Sequence, residues 1–420
     1  MIGMLSQSLL NLVDTALVGP YGEVALAGVG LGGYVAFLAA SVLLGLAAGV
    51  QGRTARFLGR QQPQLFAPLL SSACLLALLL GTSLTLLMLT AAPWLLNWLN
   101  PSAEVQHTAS SYLFWRLLAL PAVALNLVFR GFFHGQGSTL AYLKWLAALH
   151  GLNILLSLVL VKGYLGLPEW GPEGAGLGTF ISLWLGCGIF AWRSWRQTHS
   201  RWAPCWRTGK GLIRTLIPHS TQQLFFAFGL MLMFWVIGLI GTREQAVAHV
   251  LVNLSLLLIL PGVGTGIACT TLINQDLGRQ QQDSAFAWGV TGVRLAFILL
   301  ALLALPLWLF SDSILALFLH QPELIALAQT PLKLTALMLV LDAAALVLNQ
   351  ALLGCGSGKT AMQINIASQW LFFLPFAWLF GPVLGGGLVA IWLVHFVQRC
   401  LSSVLFLWIW HKRNWQYAPI

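Results

Sequence analysis

The chain runs to 420 residues, of which 58% are apolar and only 8% charged. Soluble domains carry roughly a quarter charged residues, so composition excludes an ordinary water-soluble fold and makes the bilayer the solvent. The formal charge of +10 is accounted for by membrane topology and calls for no nucleic-acid partner.

Apolar stretches of about 20 residues, the length that spans a hydrocarbon core, predict twelve helices. They fall near 2–19, 24–50, 66–92, 108–133, 138–162, 173–196, 211–240, 244–272, 286–310, 327–353, 360–381 and 383–410. Met1 leads straight into the first of these with no basic stretch ahead of it, so 2–19 reads as a helix and not as a signal peptide. The loop after the second segment carries Arg53, Arg56 and Arg60. The one after the sixth carries Arg193, Arg196, Arg201, Arg207, Lys210 and Arg214, and the tail has Lys412 and Arg413. The opposite loops hold Glu23, Glu104, Glu169, Glu173, Asp312 and Glu323. The positive-inside rule therefore places both termini in the cytoplasm.

The chain also repeats itself. Leu58-Gly59-Arg60-Gln61-Gln62 recurs as Leu277 to Gln281, and Gly135-x-Gly137-Ser138 recurs as Gly354-x-Gly356-Ser357, both at an offset of 219. Parallel repeats in a membrane protein are a mark of secondary transporters. The expected fold is an all-α polytopic bundle of twelve helices in two pseudo-symmetric six-helix lobes. The lobes are 1–200 and 211–420, joined by a cytoplasmic linker over 201–210. The six cysteines show no metal-ligand or paired spacing, so neither disulfides nor zinc are expected.

Two acids sit well inside apolar segments, Asp14 and Asp342. A mid-helix carboxylate costs about 2.5–3.5 kcal/mol on insertion scales, so each needs a partner or a function. Asp14 shares a helix face with Gln7 and Asn11. Three polar groups on one face describe a pocket in which a carboxylate can gain and lose a proton. In the fifth segment His150, Asn153 and Ser157 share a face. The sixth opens with Gly174-Ala175-Gly176-Leu177-Gly178-Thr179, where small residues permit close helix approach and the threonine offers a hydroxyl. Gly354 to Thr360 imitates a phosphate-binding loop, but the spacing is one residue short and no strand precedes it. Gly45-x3-Gly49 and Gly262-x3-Gly266 read as packing grooves.

The Asn11-to-Gly19 stretch, the Gly135-x-Gly137-Ser138 turn, Asn153 to Leu156 and the Gly174-to-Thr179 helix start resemble the multidrug and toxic compound extrusion (MATE) family, most closely its DinF-like branch. The resemblance spans essentially the whole chain. It implies two six-helix lobes about a central cavity, and export of amphipathic or cationic small molecules against inward proton or sodium flow. No enzymatic activity or cofactor is implied, and the protein is expected to act as a monomer in the lipid bilayer. Position by position, Asp14, Asn153 and Thr179 match the family's cation site, while Ser157 stands where members with the full site carry an aspartate. Losing that acid weakens a sodium site more than a proton site, because hard cations want several charged oxygens. Protons are therefore the expected coupling ion. Asp342 matches the helix 10 aspartate of the NorM branch but has no acid on the seventh segment to pair with, and Asn349 occupies the helix 10 position that is acidic in the DinF branch. Both are candidates for ion or substrate binding. Two rival functions are weaker. A lipid-linked-oligosaccharide flippase would need several basic residues inside the first lobe, where only Arg116 and Arg130 are near such places. An intramembrane enzyme would need clustered catalytic groups, whereas His134, His150, His219, His249 and His395 lie on five different segments.

Overall fold

A computed structural model describes residues 13, 16–99, 102–198, 203–319 and 321–417. Gln7, Asn11 and Asp14 of the first predicted helix lie outside the described residues. Those described form helices and turns, with no strand among them. By contact the chain divides between Ser220 and Thr221 into two compact units.

The first unit contains α1 (Glu23–Ser41), α2 (Gly45–Gly59), α3 (Phe66–Leu99), α4 (Ala103–Leu118), α5 (Leu120–Gly135), α6 (Thr139–Lys162), α7 (Gly171–Thr198) and the start of α8 (Trp206–Gly238). The rest of α8 opens the second unit. It is followed by α9 (Thr242–Leu258), α10 (Leu260–Gly278), α11 (Gln282–Leu309), the short α12 (Ser311–Ala316), α13 (Pro322–Leu341), α14 (Ala343–Gly354), α15 (Gly358–Ile366), α16 (Leu374–Trp378) and α17 (Gly387–His411). Ten of the described helices or helix pairs are long and apolar enough to cross a membrane. The pair α4 and α5, bent by 46°, makes an eleventh. With the predicted segment 2–19, this agrees with the expected twelve. The division after Ser220 falls inside α8 because its first turns pack on α2. A methyl at Gly45 would lie 2.9 Å from Leu216 Cα, and one at Gly49 would lie 3.4 Å from Thr215 Cβ. The Gly45-x3-Gly49 pair is thus a packing groove. Gly262 and Gly266 of α10 do the same against Leu346 and Gln350 of α14.

The duplication is visible in the backbone. Gln61 and Gln280, at equivalent places in the two copies, both adopt the left-handed conformation, with φ of 58° and 63°. The next residue then closes a long helix-terminating bond, Gln62 N to Phe57 O at 2.9 Å and Gln281 N to Asp276 O at 2.8 Å. Gly137 and Gly356 repeat the device, with Ser138 N to Phe133 O and Ser357 N to Leu352 O both 3.0 Å. The phosphate-loop lookalike is therefore the second copy of an interhelical turn.

The α4–α5 bend has a chemical cause. Pro121 lacks an N–H, so the carbonyl of Leu117 four residues earlier loses its helical donor. Inside a membrane that oxygen must be satisfied by the protein. Thr85 of α3 donates its hydroxyl to Leu117 O at 2.8 Å, and Gly81 one turn away lets the Pro121 backbone come close. Thr85→Val keeps the shape and removes the donor. It is expected to destabilise the fold by about 1–3 kcal/mol, read from thermal unfolding of the purified protein. An unchanged transition would mean that Leu117 O is satisfied by another group.

One sequence expectation is corrected here. The second segment was expected to end near residue 50, leaving Arg53 and Arg56 in a loop. Instead α2 continues to Gly59 and buries both, at 6% and 9% exposure. Three arginines within eight residues end an apolar window, yet Ala55, Phe57 and the small residues between them keep the helix going.

At the opposite end of the first unit, Tyr21 Oη lies 2.7 Å from Val161 O and also bonds the Glu169 carboxylate, with Lys162 Nζ 5.3 Å above its ring. Burial, then the bond to Glu169 and its charge, push the Tyr21 phenol up to about 12. The contact therefore contributes fully below the ordinary tyrosine value of 10.0 and is lost as pH rises toward 12. The tail closes the second unit. Trp410 sits on Gly289, Trp415 stacks on Trp410 with ring centroids 3.8 Å apart, and Gln416 Nε2 donates to Gln282 O at 3.2 Å.

Candidate functional site

In the first unit, α6 and α7 pack closely because α7 offers glycine where α6 offers backbone. A methyl at Gly174 would lie 2.7 Å from the Leu160 carbonyl carbon, and one at Gly178 would lie 2.9 Å from both the N and Oγ of Ser157. This close approach brings the polar stripes together. Asn153 and Thr179, buried at 3% and 5% exposure, pair through Asn153 Nδ2 donating to Thr179 Oγ1 at 3.3 Å. Thr179 Oγ1 in turn donates to Ala175 O at 3.1 Å, back along its helix. Ser157 is fully buried one turn further along α6, while His150 is half-buried at the other end of the stripe. The structure thus joins Asn153 to Thr179 and sets Ser157 beside them.

The pairing leaves two oxygens over. Asn153 Oδ1 and Ser157 Oγ are buried and find no hydrogen-bond partner among the described residues. An unmet acceptor in an apolar interior costs about 1–3 kcal/mol, so native proteins rarely keep one without a use. Asn153 Oδ1 can only accept. It suits a hydrogen-bond donor or a cation.

In the second unit the two candidates on the tenth segment belong to separate networks. Asp342 lies at the break between α13 and α14, buried at 2% exposure, and forms an ion pair with Arg399 of α17. Asp342 is therefore not the lone carboxylate the sequence suggested. Its other oxygen, Oδ1, is buried without a partner among the described residues. Asn349, two turns on, accepts from Asn365 Nδ2 at 3.0 Å and from Gln222 Nε2 at 3.5 Å. Gln398 donates to Ser368 Oγ at 3.1 Å. Sequence reasoning missed Arg399, Asn365, Gln222 and Gln398. Arg399 had a usable signal, as a basic residue in the middle of the last apolar segment, and intramembrane charges pair with one another. The others are neutral, and nothing in their spacing announces them.

The other buried acid among the described residues, Asp276 at 5% exposure, accepts from Ser284 and from Trp288 Nε1 at 2.9 Å, and lies 3.2 Å from Arg279. It locks the repeated turn and has its acceptors filled, so it is a structural group. Among the described residues no three His, Cys, Asp or Glu side chains gather as a metal site would require.

Residues 1–159 and 218–379 match the MatE family. Among curated proteins, the chain is 24% identical over 99% of its length and 90% of the relative's to a probable multidrug resistance protein NorM of Thermotoga maritima. It is 27% identical to another of that name from Aromatoleum aromaticum, over 97% of this chain and 90% of that one. Among solved structures it is similar to an outward-facing multidrug resistance MATE family transporter of the MOP superfamily, with a TM-score of 0.90 and 22% identity, covering 100% of this chain and 94% of that one. A MOP superfamily transporter from Pyrococcus furiosus, described as having a binding pocket of reverse polarity, superposes with a TM-score of 0.89 at 23% identity over 99% of this chain and 93% of the other. With the family matched over both units and the fold in agreement, the chain belongs to the MatE family of multi-pass membrane transporters and is not an enzyme.

Proposed function

We propose that this transporter exports amphipathic, cationic small molecules in exchange for protons by alternating access, acting as a monomer of the DinF-like branch in a bacterial inner membrane with both termini cytoplasmic. The multidrug resistance names of its relatives support the substrate class. The basic residues at one end of the predicted helices support the orientation.

The observation that carries the coupling is the unmet acceptor of Asn153, held in place by Thr179. A carboxylic acid donates a hydrogen bond when protonated and cannot when ionised. Asp14 is the acid that the family resemblance assigns to this site. Protonated Asp14 would satisfy Asn153 Oδ1, and its ionised form would not, so the local structure would be biased by proton occupancy. The resident ion is a proton rather than sodium because Ser157 replaces the second carboxylate, and sodium favours sites with several charged oxygens.

Dye uptake into inverted vesicles and proteoliposomes tests this. Transport should follow an imposed pH gradient and be indifferent to sodium. Sodium-driven uptake at equal pH on both sides would refute the proton assignment. The Ser157→Asp variant restores a second carboxylate at a fully buried position, and it is expected to bring in measurable sodium dependence.

A further inference from the structure

The inner end of the first unit holds a buried cation with no ion-pair partner among the described residues. Arg53 is buried at 6% exposure in α2, its Nε is sealed from solvent without a hydrogen-bond partner, and no ion pair reaches it among the described residues. The five acids before residue 220 are Asp14, Glu23, Glu104, Glu169 and Glu173. Glu23, Glu104, Glu169 and Glu173 lie at the starts of α1, α4 and α7, the end away from Arg53. Asp14 lies outside the described residues. Arginine is almost never buried unless paired, and an uncompensated buried charge is strongly destabilising.

Three further features sharpen the site. Arg56, one turn on, is also buried and adds a second positive charge. The Arg53 guanidinium lies against Gly211, where a methyl would overlap its terminal nitrogens. Gly211 is in the second turn of α8, whose N-terminal end carries partial positive charge of its own. Topology does not explain burial, since Arg60, Arg196, Lys210 and Arg214 serve the positive-inside bias while exposed. Nor does the fold require these charges. The second copy has Leu272 and Gln275 at the equivalent places.

We propose that Arg53, backed by Gly211 and flanked by the positive charge of Arg56, forms a socket for a phosphate group at the inner end of the first lobe. The phosphate would come either from the headgroup of an anionic phospholipid in that leaflet or from inorganic phosphate in the cytosol. Basic recesses between helix ends on that face are where anionic headgroups bind membrane proteins. A guanidinium fork matches two phosphate oxygens at once. This socket is separate from the Asn153 and Thr179 pair and does not depend on the export reading.

The test is thermal unfolding of the purified full chain in neutral detergent, titrated separately with phosphatidylglycerol, phosphatidylcholine and inorganic phosphate. Native mass spectrometry of bound lipid serves as the second readout. Wild type should be stabilised at concentrations of phosphatidylglycerol about tenfold below those of phosphatidylcholine, the preference that one charge-assisted contact gives. Inorganic phosphate reproducing the stabilisation would assign the socket to the free anion, and failing to do so would assign it to lipid. Arg53→Gln should abolish the preference. Gly211→Ala keeps both arginines and improves helix propensity, and by displacing the guanidinium it should abolish the preference as well. Wild type showing no preference for either anion over phosphatidylcholine, or both variants keeping the full preference, overturns the proposal.

Discussion

Replacing Asp14 with asparagine is expected to abolish transport driven by a pH gradient while leaving the amount of protein in the membrane unchanged. The neutral amide removes the group whose protonation changes, and it is cheaper to bury than a carboxylate that costs about 2.5–3.5 kcal/mol mid-helix. Each unit of pH gradient supplies about 1.4 kcal/mol per proton, enough in a one-for-one exchange to hold a singly charged cationic substrate roughly tenfold concentrated. The variant should lose that accumulation entirely and equilibrate its substrate at best. Accumulation ratios in inverted vesicles, compared at equal protein, check this directly. An Asp14→Asn protein that still accumulates dye against its gradient would remove Asp14 from the coupling step and leave the Asn153 acceptor without an explanation.

The second large effect is expected at Arg399. Breaking a buried ion pair from one side leaves the other charge stranded and costs about 3–5 kcal/mol, whereas replacing both partners by apolar groups is often neutral. Arg399→Leu should therefore destabilise the second lobe by about that amount, because Asp342 at 2% exposure has no water to turn to. Asp342→Leu with Arg399→Leu should recover most of the loss. Unfolding of the two variants separates the electrostatic cost from any role in transport. If the double variant is stable but handles fewer substrates, the pair also serves binding, since a charge in a low-dielectric cavity is felt by a cationic drug. A stable Arg399→Leu single variant would mean that Asp342 is neutral in the fold and that the ion pair is unimportant.

The sequence made the helix pattern legible because it is a local property. Length, apolar content and the recurring Leu-Gly-Arg-Gln-Gln turn each report on neighbouring residues only. Asn153 and Thr179 were legible as candidates for the same reason, through spacing along α6 and a run of small residues opening α7. Their pairing at 3.3 Å was not, since it depends on how Gly178 seats against Ser157. Arg399 and Asp342 are 57 residues apart, and only the meeting of α17 with the α13–α14 break joins them. Arg53 and Arg56 were misplaced because an apolar window ends wherever charges accumulate, while a helix ends where its backbone turns, here at the left-handed Gln61.

The stacked tryptophans of the tail have a practical consequence. Trp415 lies against Trp410, which in turn fills the notch at Gly289, and Arg413 pairs with Asp283 at 2.6 Å. The last described turn is thereby fastened to the first turns of α11, and a spectroscopic label placed at Tyr417, whose side chain is 75% exposed, rides on a fixed mount. Distances measured from it would report on the backbone of the second unit, without the blur a free tail would add. Shortening the chain before Asn414 would instead bare the face of Trp410 and loosen the mount itself.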